Sequence, residues 1–463
     1  MGDHHAYQYL LVLCTGLMLW VCNIFTIGLA YEMVPPRMRC RDGQTCAYER
    51  ACEEGGYSFE QDSLRNMTYE WSLVCDRQYI GSIIGIVNFV GIAIGSITSS
   101  WTTNRYGRKP TCILGIFLLS SGLFAAYLTP NPWVMCVVSC VLGAGTGLSI
   151  VGATLLQLES TNAEHRSWFV GIMYAGWSCA TVVQPGLFYA MPSWRDATLL
   201  PAFISLLTYP LLFSVLESVR WLAINKSDPE TTIAALHAIA RFNSRPGVTV
   251  RLHFAPKEKE TRTSFSALFA TWRLRYKLFV LSVLQVMMNL GYYGVYFAIP
   301  SYFGNIFLNG AVLGIGELIP FLVAGKVIAK MPRRQSNFLT LMSSGLILLI
   351  AWGCNSLPCS SDCIYRNSLQ TCVLFLGIFL VSSYCVAVAV ICTELFNSHT
   401  RGPAAGILNA MARIGGSVAT LLLLIQTNWG VPPLLVIGGT AVVTSLLIFT
   451  LPESLGRDME DCS

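Results

Sequence analysis

Twelve long apolar segments constrain this chain more than any other feature of its sequence. A helix needs about 20 mostly apolar residues to cross the hydrocarbon core, which is about 30 Å thick. Of the 463 residues, 54% are hydrophobic and 12% are charged, whereas a soluble domain has roughly 25% charged residues. The composition predicts an all-α membrane protein and excludes a soluble enzyme, a nucleic-acid binder and a disordered chain. We expect spans at 7–31, 78–101, 111–128, 132–158, 167–190, 197–216, 276–299, 302–329, 335–353, 370–392, 402–426 and 432–451.

Lysine and arginine determine the expected orientation of these spans, because short connections rich in these residues stay in the cytosol. With the N-terminus inside, the short outside connections carry only Arg195 and Arg366. The outside connection 32–77 has six Arg, but it is long, holds nine acidic residues and can be exported regardless. The first 36 residues contain no Lys or Arg, so we expect the first apolar segment to remain as a signal anchor.

The 32–77 connection has features of an exported loop. It contains four of the 17 cysteines, and an even number in an external segment predicts disulfides whose pairing stays open. Asn66 begins a glycosylation sequon, which is accessible only from the lumenal side. We therefore expect a multi-pass protein of the plasma membrane, with an organelle membrane as the alternative. The four cysteines are Cys40, Cys46, Cys52 and Cys75. Cys354, Cys359 and Cys363 form an odd external set, whose pairing is undecided.

The two halves of the chain repeat the same landmarks. Glu159 and Arg166 follow span 4 with the spacing at which Glu394 and Arg401 follow span 10. Arg108-Lys109 matches Arg333-Arg334, and Leu216-Glu217-Ser218 matches Pro452-Glu453-Ser454. This repeat predicts two parallel six-span halves, at 1–216 and 276–463, joined by a cytosolic linker at 217–275. Within the linker, Asp228-Pro229 predicts the start of a short helix over 229–242, and 243–264 is expected on the membrane surface.

Several motifs resemble those of a known family. They are Trp71-Ser72-Leu73-Val74-Cys75-Asp76, Asn104-Arg105-Tyr106-Gly107-Arg108-Lys109-Pro110, Glu217-Ser218-Val219-Arg220-Trp221-Leu222, Glu394-Leu395-Phe396 with Arg401, and Leu451-Pro452-Glu453-Ser454. Together they resemble the major facilitator superfamily, and within it the organic cation, organic anion and carnitine transporter family. The resemblance implies that superfamily's fold of twelve transmembrane helices in two halves, and alternating-access transport.

The resemblance also implies a cytosolic charge network that locks the halves together when the outside is open. Asn104 stands where the motif normally has an acid, Ser100 where it has Gly, and Val219 where it has Pro, so one ion pair is lost and the gate is expected to be weaker. Anchoring by positive charge explains the basic residues equally well, but it does not explain the acids. The expected gate residues are Arg105, Arg108, Glu159, Arg166, Glu217, Glu394 and Arg401.

Only Glu317 and Arg413 lie near the middle of a predicted span. An Arg at mid-bilayer costs about 2.5–3.5 kcal/mol, so it is retained for pairing or function. In the resembled family, Arg at this span 11 position marks anion and carnitine carriers, and Asp marks cation carriers. Arg413 is thus a candidate carboxylate site, and the flanking Gly415 and Gly416 permit close helix packing. The alternatives are a static Arg413–Glu317 ion pair, or a zwitterion site in which Glu317 faces an ammonium.

Aromatic residues extend this candidate site. Cation carriers of the resembled family have Trp and Tyr in span 4, where Ile150 and Thr154 stand here. In span 7, Tyr292, Tyr293 and Tyr296 are similar to tyrosines that line the cavity of anion and carnitine carriers. Packing or an interfacial belt is the other interpretation, also for the candidate Trp177 in span 5.

The chain lacks Ser-His-Asp, Walker and GxGxxG arrangements, and no Cys or His pattern predicts a metal site. We therefore expect no enzyme, no cofactor and no nucleic-acid partner, and protein partners stay open. No His lies in a predicted span, which favours facilitated diffusion or exchange over proton coupling. Three hypotheses remain, namely a carrier of small organic anions or zwitterions, a cation carrier that uses Glu317, and a non-transporting membrane scaffold or subunit.

Overall fold

The computed structural model describes most of the chain. The described residues are 5–41, 44–46, 48–60, 62–161, 166–191, 193–223, 229–244, 268–299, 302, 304–328, 331–354, 364–396 and 401–453. Every predicted span corresponds to a helix or a pair of short helices within these ranges, and the predicted fold of twelve transmembrane helices in two halves is confirmed.

The N-terminal half begins with α1 (Ala6–Glu32), followed by the segment predicted to be external, which we call the external segment. That segment contains β1 (Met38–Arg39), β2 (Thr45–Cys46), α2 (Tyr48–Glu54), β3 (Ser58–Phe59) and α3 (Met67–Glu70). The next spans are α4 (Tyr79–Arg105), α5 (Arg108–Leu128), α6 (Pro132–Ser160) and α7 (Arg166–Ala190), and the sixth consists of α8 (Trp194–Leu206) and α9 (Thr208–Ser214). Span 6 is broken because Pro210 has no N–H for the carbonyl of residue 206.

Two short helices follow on the side predicted to be cytosolic, α10 (Val219–Trp221) and α11 (Pro229–Phe242). The latter covers the predicted linker helix, whereas most of the segment expected on the membrane surface lies outside the described residues. The C-terminal half contains α12 (Trp272–Phe297), α13 (Ile306–Ile328), α14 (Arg333–Gly353), α15 (Ile364–Glu394), α16 (Arg401–Trp429) and α17 (Pro433–Ser445), which continues as a 3-10 turn to Thr450. The division into domains at 216 and 276 stays a prediction.

By length and composition alone, eleven of the described helical segments can cross a membrane, and α7 is the span that is not among them. The polar side chains of α7 include Ser178, Thr181 and Gln184, which lower its hydropathy. All three are buried. Their burial shows that these polar side chains of α7 face other helices, whereas Val183 and Tyr189 of the same helix are exposed.

The external segment is a small disulfide-bonded unit. Its antiparallel sheet has the order β2-β1-β3, with Met38 opposite both Cys46 and Phe59. Disulfides join Cys40 to Cys46 and Cys52 to Cys75, which resolves the pairing that the sequence left open. Cys354 is buried, and Cys359 and Cys363 lie outside the described residues.

Asn66 is a buried structural residue. Its side chain is fully buried and caps α3 by accepting a hydrogen bond from the Tyr69 N–H at 3.0 Å. The amide nitrogen donates to the carbonyls of Tyr31 at 2.9 Å and Val34 at 2.8 Å. A glycan would take the place of one of the two amide hydrogens that make these bonds, and the predicted glycosylation of Asn66 stays a prediction.

Replacing Asn66 by alanine should lower the free energy of unfolding by about 1–3 kcal/mol, because it removes a cap and one hydrogen-bond donor to each of the Tyr31 and Val34 carbonyls. Thermal unfolding in detergent measures the loss. Asn131→Ala is the matched control, since Asn131 caps α6 through a single bond at an exposed position and should cost less. A glycosidase-sensitive mobility shift of the wild type that Asn66→Ala abolishes would contradict the assignment.

Candidate functional site

The cytosolic ends of the N-terminal half are joined by carboxylates. Glu217 accepts hydrogen bonds from the backbone N–H groups of Arg108 and Lys109, both at 3.1 Å, at the start of α5. Burial raises the pKa of the Glu217 carboxyl, and the backbone hydrogen bonds oppose that shift. Arg108 also forms a 2.6 Å ion pair with Glu159 of α6. These contacts tie α5, α6 and the end of span 6 together.

The C-terminal half repeats this arrangement residue for residue. Glu453 accepts from the backbone N–H groups of Arg333 at 2.7 Å and Arg334 at 3.1 Å, at the start of α14. Arg333 pairs with Glu394 of α15 at 3.1 Å. Lys109 Nζ donates to the carbonyl of Phe213, and Arg334 Nη2 donates in the same way to that of Phe449. The repeated sequence landmarks therefore occupy equivalent structural positions.

The ion pairs Arg108–Glu159 and Arg333–Glu394 each join residues of one half, so neither of them bridges the halves. Arg105 is exposed and lies over the rings of Trp101 and Tyr106. The side chains of Arg166 and Arg401 lie outside what the structure describes. A lock between the halves thus stays a proposal for a state in which the outside is open.

At the outer side, the halves are in close contact. Tyr31 of α1 stacks on Phe307 of α13, with the ring centroids 6.2 Å apart. Phe89 of α4 packs edge to face against Tyr293 of α12 at 4.6 Å. Tyr31, Phe89 and Tyr293 are all buried. This face of the interface is closed.

Glu317 of α13 lies fully buried at the interface of the halves. Its Oε1 accepts hydrogen bonds from Ser178 Oγ of α7 at 2.9 Å and from Tyr292 Oη of α12 at 2.8 Å. Its Oε2 accepts one from Tyr296 Oη at 2.6 Å. Trp177 Nε1 in turn donates to Tyr292 Oη at 2.7 Å. Four of the predicted site residues and Ser178 thus form one hydrogen-bonded cluster. We call it the Glu317 cluster, and it consists of Trp177, Ser178, Tyr292, Tyr296 and Glu317.

Arg413 of α16 lies in a different environment. Its side chain is half-buried, and Nη1 is 3.5 Å from Asn289 Oδ1, which is long for a hydrogen bond. Its Nε is buried without a hydrogen-bond partner. Tyr293 is the predicted tyrosine that lies near the guanidinium. Among the described residues, no carboxylate lies within 4.0 Å of Arg413, so the predicted alternative of a static pair with Glu317 is wrong for this structure.

The glycines beside Arg413 have the predicted packing role. A Cβ at Gly415 would overlap the carbonyl oxygen of Val286 in α12, and a Cβ at Gly416 would overlap the ring of Phe89 in α4. The backbone of α16 can therefore approach helices of both halves at this level, and this approach positions Arg413 at the interface.

Sequence reasoning missed several polar residues at this interface. Ser178 and Asn289 belong to no motif and sit in apolar helices, so nothing in the pattern distinguished them. Glu32 was placed just beyond span 1, but it is the last residue of α1, is buried, and accepts a hydrogen bond from the Met67 N–H at 3.2 Å. Its role is to attach the external segment to α1.

The described helices and their interior polar groups define an integral membrane protein of two packed six-helix halves. Residues 73–420 match the family model of the Major Facilitator Superfamily, and the chain belongs to this superfamily. This confirms the resemblance found in the sequence. It also makes the protein a multi-pass membrane transporter rather than an enzyme.

Its curated relatives belong to solute carrier family 22. Solute carrier family 22 member 6 from Rattus norvegicus is 26% identical over 402 residues, which cover 85% of this chain and 71% of the relative. Organic cation/carnitine transporter 2 from Homo sapiens is 25% identical over 419 residues, which cover 88% and 72%. Among solved structures, a proton:xylose symporter of the superfamily has a TM-score of 0.70 at 15% identity, with coverage of 99% of this chain and 98% of the symporter. That likeness shows the fold alone.

Proposed function

We propose that this protein is an alternating-access carrier, either a facilitator or an exchanger, of small organic anions or of zwitterions such as carnitine-like solutes. The observation that carries the proposal is the uncompensated guanidinium of Arg413 at the interface of the halves. A cation at this depth costs about 2.5–3.5 kcal/mol, and no acid among the described residues offsets it. A solute carboxylate would supply the missing charge through the planar fork of the guanidinium.

The attraction between the Arg413 guanidinium and a carboxylate is strong enough to select for anionic solutes. Two unit charges about 4 Å apart attract each other by roughly 4 kcal/mol at an effective dielectric constant of 20. The neighbours Asn289 and Tyr293 are polar but uncharged, so they can orient a carboxylate without competing for it. The name of the human relative includes carnitine, which carries a carboxylate, and this supports the same class of solute.

The alternative of a cation carrier that uses Glu317 has less support. Both carboxylate oxygens of Glu317 accept hydrogen bonds, and the side chain is fully buried. A substrate ammonium would have to displace at least one of these donors. The same observation argues against a zwitterion site in which Glu317 holds the ammonium in this closed arrangement.

The predicted gate residues act in the state of the proposed cycle in which the outer side is open. When the outer side opens, the cytosolic ends approach each other, and the gate residues would then bind across the halves. Asn104 cannot contribute a charge, and its backbone carbonyl accepts a hydrogen bond from Trp221 Nε1 at 3.1 Å within the same half. We expect the protein to perform this cycle in the plasma membrane.

Uptake into proteoliposomes that contain the purified full chain tests the proposed function. We expect labelled benzoate and carnitine to enter, and labelled tetraethylammonium to enter at the rate of protein-free vesicles. Saturable tetraethylammonium uptake without carboxylate uptake would support the cation carrier. No uptake of any of the three, together with stable association with another membrane protein, would support the scaffold hypothesis.

A further inference from the structure

We propose that the Glu317 cluster is a latch that joins the two halves near mid-membrane depth and keeps the outer side closed, and that Glu317 is a positioning residue rather than a substrate ligand. Two of its hydrogen bonds cross between the halves. Ser178 of α7 donates to Glu317 of α13 at 2.9 Å, and Trp177 of α7 donates to Tyr292 of α12 at 2.7 Å. The inference does not depend on which solute Arg413 binds.

The hydrogen bonds of the cluster form a continuous chain that ends on the carboxylate of Glu317. The Trp177 N–H donates to the Tyr292 hydroxyl, and that hydroxyl donates its own proton to Glu317 Oε1. Tyr296 donates to the other carboxylate oxygen. A buried carboxylate is costly unless donors surround it, and no basic side chain among the described residues lies within 4.0 Å of Glu317. The hydroxyls of Ser178, Tyr292 and Tyr296 therefore take the place of a counter-ion.

The backbones at this level are close enough to make the contact specific. A Cβ at Gly314 of α13 would lie 2.8 Å from the backbone nitrogen of Val182 in α7. Gly314 precedes Glu317 by three residues and shares its helix face. A small residue at 314 thus allows α7 to approach until the Ser178 hydroxyl reaches the carboxylate.

Opening of the outer side would break the crossing bonds and leave the others intact. Tyr292, Tyr296 and Glu317 belong to the same half, so they would move together, whereas Trp177 and Ser178 would leave with α7. Contacts made in one state and absent in the other shift the equilibrium toward the first state. The latch therefore favours the outer-closed state, and water would take the vacated positions around Glu317 when the outside opens.

The distance between the outer ends of the two halves tests the latch. Trp133 at the start of α6 and Tyr365 at the start of α15 are 55% and 77% exposed, and both lie on the outer side. Spin labels on Trp133→Cys and Tyr365→Cys, with the exposed free cysteines Cys179 and Cys372 replaced by serine, report this distance in the full chain in lipid nanodiscs. We expect Ser178→Ala and Trp177→Phe each to raise the open-to-closed ratio about tenfold.

Tyr384→Phe is the matched control, because the Tyr384 hydroxyl is also buried but donates to the Leu284 carbonyl within the same half. We expect it to leave the distance distribution unchanged, and Glu317→Gln to shift it in the same direction as Ser178→Ala. The inference is overturned if Ser178→Ala and Trp177→Phe leave the distances unchanged in monodisperse protein. It is also overturned if Glu317→Gln weakens solute binding without moving the labels.

The latch and the proposed function fail in different ways. Latch variants change the distances measured without solute, whereas Arg413→Ala should leave those distances unchanged and remove carboxylate uptake. An Arg413→Ala protein with normal carboxylate uptake would refute the proposed solute site while leaving the latch intact. Unshifted distances in the latch variants would refute the latch while leaving the solute site intact.

Discussion

Arg413→Ala should lower the transport efficiency for a carboxylate roughly 100-fold. A hydrogen bond to a charged group contributes about 1.5–3 kcal/mol, and the guanidinium can make two such bonds to one carboxylate. Loss of about 3 kcal/mol corresponds to roughly this factor, since 1.36 kcal/mol corresponds to tenfold. Initial rates of labelled benzoate uptake into proteoliposomes, measured over a range of concentrations, give the ratio of maximal rate to KM.

Arg413→Lys separates charge from geometry. It keeps the positive charge but loses the planar fork, so we expect an intermediate loss. Arg220→Gln is the matched control. Arg220 is also an arginine, but it is exposed and lies on the short helix α10, outside the spans that form the solute site. We expect this control to transport benzoate at the wild-type rate. Normal benzoate uptake by Arg413→Ala would contradict the proposed solute site.

Gly143→Ala should destabilise the protein by about 1–3 kcal/mol, and Gly143→Leu should prevent folding. A Cβ at Gly143 of α6 would overlap the carbonyl oxygen of Asn88 in α4, and one at Gly95 of α4 would overlap the carbonyl oxygen of Ala144. The helices α4 and α6 are therefore in direct backbone contact, and the overlapped atoms cannot rotate away. Small residues such as these glycines are typical of the contact faces of membrane helices that pack closely.

Thermal unfolding in detergent and the monodisperse yield after size exclusion measure this effect. Gly186→Ala is the matched control, because Gly186 is also helical but nothing lies within 4 Å of an added Cβ. Alanine has a better helix propensity, so this control should be neutral or slightly stabilising. Equal stability of Gly143→Ala and Gly186→Ala would contradict the packing that the structure describes.

The sequence predicted individual helices well and their contacts poorly. The predicted helix at 229–242 is α11, which begins at Pro229 and ends at Phe242, and it could be predicted because the signals that start a helix are local in the sequence. Span 6 was predicted as one segment, but it is two helices. Arg108, Glu159 and Glu394 were predicted as members of a lock between the halves, but in this structure Arg108 pairs with Glu159 and Glu394 pairs with Arg333, each within one half. Sequence identifies the charged groups, whereas only their positions in space decide which ones meet.

By itself, the sequence determined the number of spans, the repeat of the two halves and the family. These properties depend on transfer free energies and residue spacing, which are summed along the chain. The tertiary structure decided the pairing of the disulfides, the burial of Asn66 and the separation of Glu317 from Arg413. The physical reason is rotation about the helix axis. When a helix is apolar on every side, its periodicity does not reveal which face meets its neighbours, so packing alone assigns Glu317 to hydroxyl donors and leaves Arg413 uncompensated.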